Sequence, residues 1–250
     1  MSPSLPTLAR EVVANLVMVV PPLRAWRVRR GRTTNMCTAA DEARLDRQRT
    51  AWYLTNLGES RFRGATVVEV GPGDTMPFAA HALRLGAARY VAIDRFADAW
   101  REPSDRRITL VPRPIEALPD DLSSVADLVV SFNVLEHVSN VTLAFRQMAR
   151  LLVPTGVMLH RIDYGPHAHW RQHADPTAFL RVPELLWRAM GSARGYPNRA
   201  SHEQMVGAAR EAGLTVTHRA TRHFPQGGVW EGELIAGRAW VAFRGAPFEL

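Results

Sequence analysis

The chain contains no lysine: all 31 residues of the Lys and Arg class are arginine. That absence excludes a lysine Schiff base and a P-loop phosphate lysine. Cysteine is nearly as scarce. Cys37 stands alone, so no internal disulfide can form, and a reducing compartment such as the cytoplasm fits best. Long apolar runs are also missing. The best, VVANLVMVVPPL at 12–23, falls short of the roughly 18 residues that a spanning helix needs, and Asn15, Pro21 and Pro22 interrupt it. It makes a poor signal peptide, because the basic residues follow it and no small-residue cleavage site is evident.

What is present starts with a formal charge of +7 on 250 residues. A basic surface could favour nucleic acid, anionic lipid or a phosphorylated substrate. Most arginines are scattered through expected helices, which argues against nucleic acid, and GC-rich coding accounts for their number. Arg24, Arg27, Arg29, Arg30 and Arg32, with Trp26 among them, follow the apolar stretch. Residues 12–32 could therefore lie on an anionic membrane surface, at the inner face of the membrane. The alternative is a helix packed on the body or on another subunit.

Residues 1–60 read as an N-terminal helical segment with a loop near Gly31, and Leu45, Trp52 and Leu57 can share a face. From residue 61 strands and helices alternate. TVVEV, RYVAID, RITLVP, ADLVVSF and GVMLHRID read as strands one to five. TMPFAAHALRLG and VTLAFRQMARLL read as helices, the latter stopped by Pro154 and Gly156. A His- and Pro-rich insertion at 164–200 breaks the rhythm. SHEQMVGAAREAG is a helix capped by Ser201, with Glu203 or Gln204 near the capping-box position. LTVTHRAT and ELIAGRAWVAF close the chain as strands. The alternation implies an α/β domain over 61–250, a mostly parallel sheet with helices on both faces.

In such sheets ligands bind beyond the carboxyl ends of the strands, where strand order reverses. The first strand ends in Gly71-Pro72-Gly73, where glycine spares a bound molecule a Cβ clash. Asp94 ends the second strand, 21 residues after Gly73, the spacing of a ribose-binding carboxylate. A dinucleotide would need a third glycine where Met76 stands, and Glu69 would repel its pyrophosphate. Glu69 suits an ammonium or sulfonium group instead.

These residues resemble the first two motifs of class I S-adenosylmethionine-dependent methyltransferases. DLVVSFNVLEHV at 127–138 and LLVPTGVMLH at 151–160 are similar to their fourth- and fifth-strand motifs. The resemblance covers roughly 64–245. It implies a Rossmann-like seven-stranded sheet of order 3-2-1-4-5-7-6 and S-adenosyl-L-methionine as cofactor. Glu69, Gly71 and Gly73 would hold the methionine end and Asp94 the ribose. Pro114 replaces the acid that meets adenine in the family. Ile115 would offer its N–H and an apolar wall, and Glu116 points elsewhere. Phe132 and Asn133 would border the methyl group.

A hydroxyl acceptor calls for a general base, and histidine is the usual one at neutral pH. His137, His160 and Asp163 fall at strand ends expected to face one cleft, and His167, His169 and His173 follow. Plant small-RNA methyltransferases carry metal ligands in a similar segment. Asn133 replaces the first of their acids, which leaves a partial set of Glu136, His137 and His160 or His169, so no metal is expected. Segments HRID, LLWRAMGS and PNR resemble bacterial methyltransferases of cell-envelope glycan loci, with 164–200 as a lid. The acceptor is then a small molecule or sugar hydroxyl, phosphorylated or lipid-linked, with Arg161, Arg171, Arg181 and Arg199 able to meet phosphate. An RNA methyltransferase and a non-catalytic cofactor-binding module are the alternatives.

Overall fold

The computed structural model describes residues 5–30, 39–73, 75–97 and 102–244. Cys37 and Arg32 lie outside the described residues, as do the side chains of Arg27, Arg29 and His169. The strands are β1 (Thr66–Val70), β2 (Arg89–Ile93), β3 (Ile108–Val111), β4 (Ala126–Phe132), β5 (Leu152–Asp163), β6 (Thr215–His223) and β7 (Val229–Gly237). The helices are α1 (Leu5–Val19), α2 (Pro21–Arg29), α3 (Ala39–Leu57), α4 (Pro77–Arg84), α5 (Val141–Leu151), α6 (Glu184–Gly191) and α7 (His202–Glu211).

One sheet of order β3-β2-β1-β4-β5-β7-β6 organises the molecule, the order the family resemblance implies. β1 to β5 pair in parallel, while β7 runs antiparallel between β5 and β6. The central strands are valine-rich because both faces are covered. Side-chain alternation along β1 divides the core. Val67 packs with Tyr53 of α3 and with Phe78 and Ala82 of α4. Val68 and Val70 pack on the opposite face with Phe145 and Met148 of α5 and Met205 of α7. Both α5 and α7 start on side-chain caps. The Asn140 side chain accepts from the Leu143 N–H, and Ser201 with Gln204 forms a complete capping box.

Two boundaries differ from the sequence reading. β5 starts at Leu152, four residues before Gly156, because a bulge between the Ala126–Leu152 and Leu128–Val157 pairs absorbs the Pro-containing residues 153–156. β7 starts at Val229 and stops at Gly237. A turn with left-handed Gly227 and Gly228, closed by the Phe224 N–H on Gly228 O at 3.0 Å, brings the chain back onto β6 earlier than the apolar pattern indicates.

The insertion builds its own aromatic cluster from Trp170, Phe179, Trp187 and Met190, and Leu8 and Val12 of α1 pack into it. Polar residues in the middle of α1 make the joint specific. Buried Asn15 donates to Ala189 O at 3.0 Å and accepts from the Ala193 N–H at 2.8 Å, tying up the carboxyl end of α6. Glu11 accepts from the Tyr196 hydroxyl at 2.6 Å and pairs with Arg194. The sequence reading took Asn15 as an interruption of an apolar run; in the fold it is the clasp between α1 and α6. We expect Asn15→Ala to lower stability by about 2–3 kcal/mol, the cost of stranding these buried groups. Urea unfolding measures this, and an unshifted midpoint would show that α1 does not depend on the clasp.

Candidate functional site

The site lies where strand order reverses between β1 and β4. Gly71 leaves β1 with φ +66°, its N–H on Ile93 O at 2.8 Å. A Cβ there would stand 2.5 Å from Val134, so glycine is required by the turn beyond β4 as well as by any ligand. Gly73 follows at φ +83°. Met76, where a dinucleotide fingerprint would carry its third glycine, itself adopts a left-handed conformation at φ +45°, directly before Pro77 opens α4.

Glu69 points to the α3 side of the sheet and is wholly buried. Its Oε1 accepts from the Tyr53 hydroxyl at 3.0 Å and lies 3.3 Å from an Arg49 nitrogen, and its Oε2 accepts from the Tyr90 hydroxyl. Burial pushes the Glu69 carboxyl up, while Arg49 and the two tyrosines pull it down. The cation that this buried acid demands is therefore present in the chain. Arg49 also donates to Pro72 O at 2.7 Å, so α3 holds the glycine turn directly. Arg49, Tyr53 and Tyr90 escaped the sequence reading. A carboxylate inside a buried strand was the one available sign that such partners had to exist.

At the end of β2, half-buried Asp94 accepts from the Phe96 N–H at 2.8 Å, while its own N–H meets Val111 O at 3.2 Å. Ile115 is buried against the core that includes Val70, Ile93 and Val111. Glu116 turns away, as expected: its Oε1 accepts from the Ser139 N–H at 2.5 Å and the Asn140 N–H at 3.2 Å, at the start of α5. Phe132 ends β4 with the Trp52 ring edge-to-face against it, centroids 5.7 Å apart, and Arg161 5.0 Å over its ring. Asn133 is left-handed at φ +57°, and its buried Oδ1 finds no partner among the described residues.

Three of the expected base residues do not share one cleft. His160 is fully buried on the α5 side of the sheet, hydrogen-bonded to the Ser131 hydroxyl at 2.8 Å and 6.0 Å from the Phe145 ring. Burial holds its imidazole down at about 3, so it stays neutral. Strand periodicity explains the separation, because His160 and Asp163 are three residues apart and project to opposite faces.

His137 and Asp163 do come together, through His167. The His137 and His167 rings stand 4.9 Å apart, and His167 Nε2 lies 3.4 Å from Asp163 Oδ2. Asp163 also accepts from the Gly165 N–H at 2.8 Å. Burial alone would raise the Asp163 carboxyl, but His167, Gly165 and Arg171 outweigh it and hold it below its ordinary value, so it remains ionised. Burial first, and His167 next, push the His137 imidazole down to about 3. Beside them Glu136 is 2% exposed, and neither of its oxygens has a partner among the described residues. Burial drives its carboxyl well above the ordinary range. The turn carrying Glu136 and His137 is strapped by the insertion: the Asn198 side chain donates to Leu135 O at 2.8 Å and Val138 O at 3.1 Å, and its N–H to Glu136 O at 2.6 Å. His167 sits at i+4 from Asp163, and that spacing was its only sequence signal.

The arginines around the insertion mostly have partners of their own. Arg161 pairs with Glu231 at 2.8 Å, Arg181 with Asp175, and Arg199 with Glu184 and Val182 O. Arg171, largely exposed, lies 3.8 Å from Asp163 and donates from Nε to Pro166 O at 3.1 Å.

Among curated proteins no sequence matches the chain significantly. Solved structures of similar fold include an S-adenosylmethionine-dependent methyltransferase from Mesorhizobium loti, at 15% identity, TM-score 0.51, and coverage of 70% of this chain and 92% of that one. Another, from Galdieria sulphuraria and described as a sarcosine dimethylglycine methyltransferase, gives 12% identity, TM-score 0.53, and coverage of 86% and 97%. A family model described as a methyltransferase domain matches residues 43–219, from α3 into β6 and thus across the glycine turn and the strand ends above. The chain therefore belongs to that methyltransferase family and is a class I S-adenosylmethionine-dependent methyltransferase.

Proposed function

We propose that this enzyme methylates a hydroxyl of a sugar or other small acceptor presented at the carboxyl ends of β4 and β5. The observation that carries the reading is the group of Glu136, His137, His167 and Asp163 gathered there, one strand end away from the glycine turn.

The residues on the cofactor side fit an adenosyl sulfonium ligand. Gly71 and Gly73 bring backbone close without a Cβ, the Asp94 carboxylate is set for ribose hydroxyls, and the unpartnered Oδ1 of Asn133 lies at the mouth of β4. Ile115 and Phe132 supply apolar walls. Glu69 acts from behind, by fixing Arg49 against the turn. When bound, the cofactor supplies an electrophilic methyl group, and the protein's task is alignment, exclusion of water and removal of the hydroxyl proton. His137 is neutral and can accept a proton, though burial makes it a weak base. His167 stands beside it, with Nε2 3.4 Å from Asp163 Oδ2, so Asp163 can orient that ring toward the acceptor. Trp170, Phe179 and Trp187 of the insertion form the flank that would shield the acceptor.

A lipid-linked glycan at the inner membrane face is the acceptor class we favour. Val13, Leu16, Val19, Val20, Leu23 and Trp26 form an exposed apolar stripe along α1 and α2, on the side away from α6. Arg10, Arg24 and Arg30 lie on the same segment, and Glu11, the sole acid in residues 5–30, is turned inward to Arg194. No helix among the described residues is long and apolar enough to cross a membrane. An interfacial amphipathic helix needs only such a stripe with basic neighbours.

Three outcomes are expected. Asp94→Ala should weaken S-adenosylmethionine binding by about 1–3 kcal/mol in calorimetry; unchanged affinity would remove Asp94 from the site. His137→Asn and Asp163→Asn should each lower kcat on a glycan acceptor by about 100-fold or more at unchanged cofactor affinity, whereas His160→Asn should act on stability. Normal turnover in the first two variants, or a kcat loss confined to His160→Asn, overturns the base assignment. Vesicles containing phosphatidylglycerol should sediment the protein and Leu16→Glu should release it; indifference to anionic lipid rejects the membrane contact.

A further inference from the structure

We infer that Glu136, His137 and His167 bind one divalent transition-metal ion of the Zn²⁺, Co²⁺ or Mn²⁺ class. One ligand atom from each lies within 4.8 Å of the others, and His137 Nε2 stands 3.9 Å from Glu136 Oε1. Ligands of a single ion stand roughly 3–4 Å apart, given bond lengths near 2.0–2.2 Å. Side-chain movements of less than about 1 Å therefore close the site.

The independent observation is the state of Glu136. Two buried carboxylate oxygens without a hydrogen bond are costly, and chains rarely retain them. Glu69 shows the usual solution in this same fold, with two tyrosines and an arginine on its oxygens. Glu136 has no such side-chain donors among the described residues, only its own and the Asp163 backbone N–H nearby, and beside it are two imidazoles, which carry lone pairs for a cation. A bound cation would neutralise the Glu136 carboxylate and take one lone pair from each imidazole.

The surroundings suit such a site. Asp163 Oδ2, 3.4 Å from His167 Nε2, can orient that ring or add a further oxygen ligand. Two cations lie nearby and both have other partners: Arg161 pairs with Glu231, and Arg171, 3.8 Å from Asp163, donates from Nε to Pro166 O at 3.1 Å. The Asn198 strap holds the Glu136–His137 backbone without using their side chains, as a preformed site requires. A carboxylate with two imidazoles selects ions of the zinc and manganese class over calcium or magnesium. Three protein ligands leave a position open for an oxygen of the acceptor. That last role rests on the hydroxyl-methylation reading and would replace the histidine base in it, because an imidazole that ligates a cation has no lone pair left for the hydroxyl proton; the ion site itself does not rest on that reading.

The test uses the full chain, stripped with a chelator and kept free of cofactor and acceptor. Titration with Zn²⁺, Co²⁺ and Mn²⁺ by calorimetry, with visible absorption for Co²⁺, should give one ion per chain. Glu136→Gln, which keeps shape and removes charge, and His167→Asn should each weaken binding at least tenfold. His223→Asn, on the exposed end of β6, should leave it unchanged. The inference falls if none of the three ions binds, or if whichever variant gives a wild-type circular dichroism spectrum binds as tightly as the wild type. Because the acceptor is absent, a failed titration leaves hydroxyl methylation standing, and a failed acceptor screen leaves the ion site standing.

Discussion

A carboxylate inside a parallel sheet must find donors, and the way Glu69 finds them organises this enzyme. Tyr90 comes from the neighbouring strand, Tyr53 and Arg49 from a helix that precedes the sheet in the chain. Removing one partner from a buried charge typically costs about 3–5 kcal/mol, far more than the pair contributes over an apolar substitute. The network therefore acts as a register device. It allows α3 to dock in one position, and in that position Arg49 reaches the Pro72 carbonyl and holds the glycine turn. Trp52, one residue before Tyr53, then meets Phe132 at the end of β4. A single buried acid thus links β1, β2, α3 and the mouth of the cleft.

Glu136 is the counterpart that the fold leaves open. Both acids are buried, and burial raises both carboxyls. The difference lies in their neighbours. Glu69 is surrounded by donors, whereas Glu136 faces two histidines and the ionised Asp163. The backbone beneath it is tied down from the insertion by Asn198. A rigid frame around unsatisfied ligating atoms is how binding sites differ from cores, because the missing interactions are supplied only when a ligand arrives.

The N-terminal helices and the insertion belong to one device. Glu11 and Asn15 face inward and bind the end of α6, while the apolar residues of the opposite side remain at the surface. The insertion in turn carries Asn198, which fixes the turn of Glu136 and His137, and His167, which joins Asp163 to them. The exposed stripe is thereby connected through packed side chains to the turn that carries Glu136 and His137.

Much of the architecture was legible in the residue pattern. Valine-rich runs separated by amphipathic stretches require a covered parallel sheet, and Gly71, Gly73 and Asp94 mark its ligand end because local backbone geometry and strand spacing decide those positions. The site beyond β4 and β5 was not legible. Whether His160 or His167 stands beside His137 depends on which face of β5 each residue takes and on how the insertion folds back, and neither follows from spacing in sequence. The same holds for Glu69 and Arg49, 20 residues apart and joined only because α3 packs on the sheet. Sequence alone determined the sheet, its switch point and the cofactor; tertiary packing decided which buried acid would be satisfied and which left open, since donors for a buried charge come from whatever element the fold lays against it.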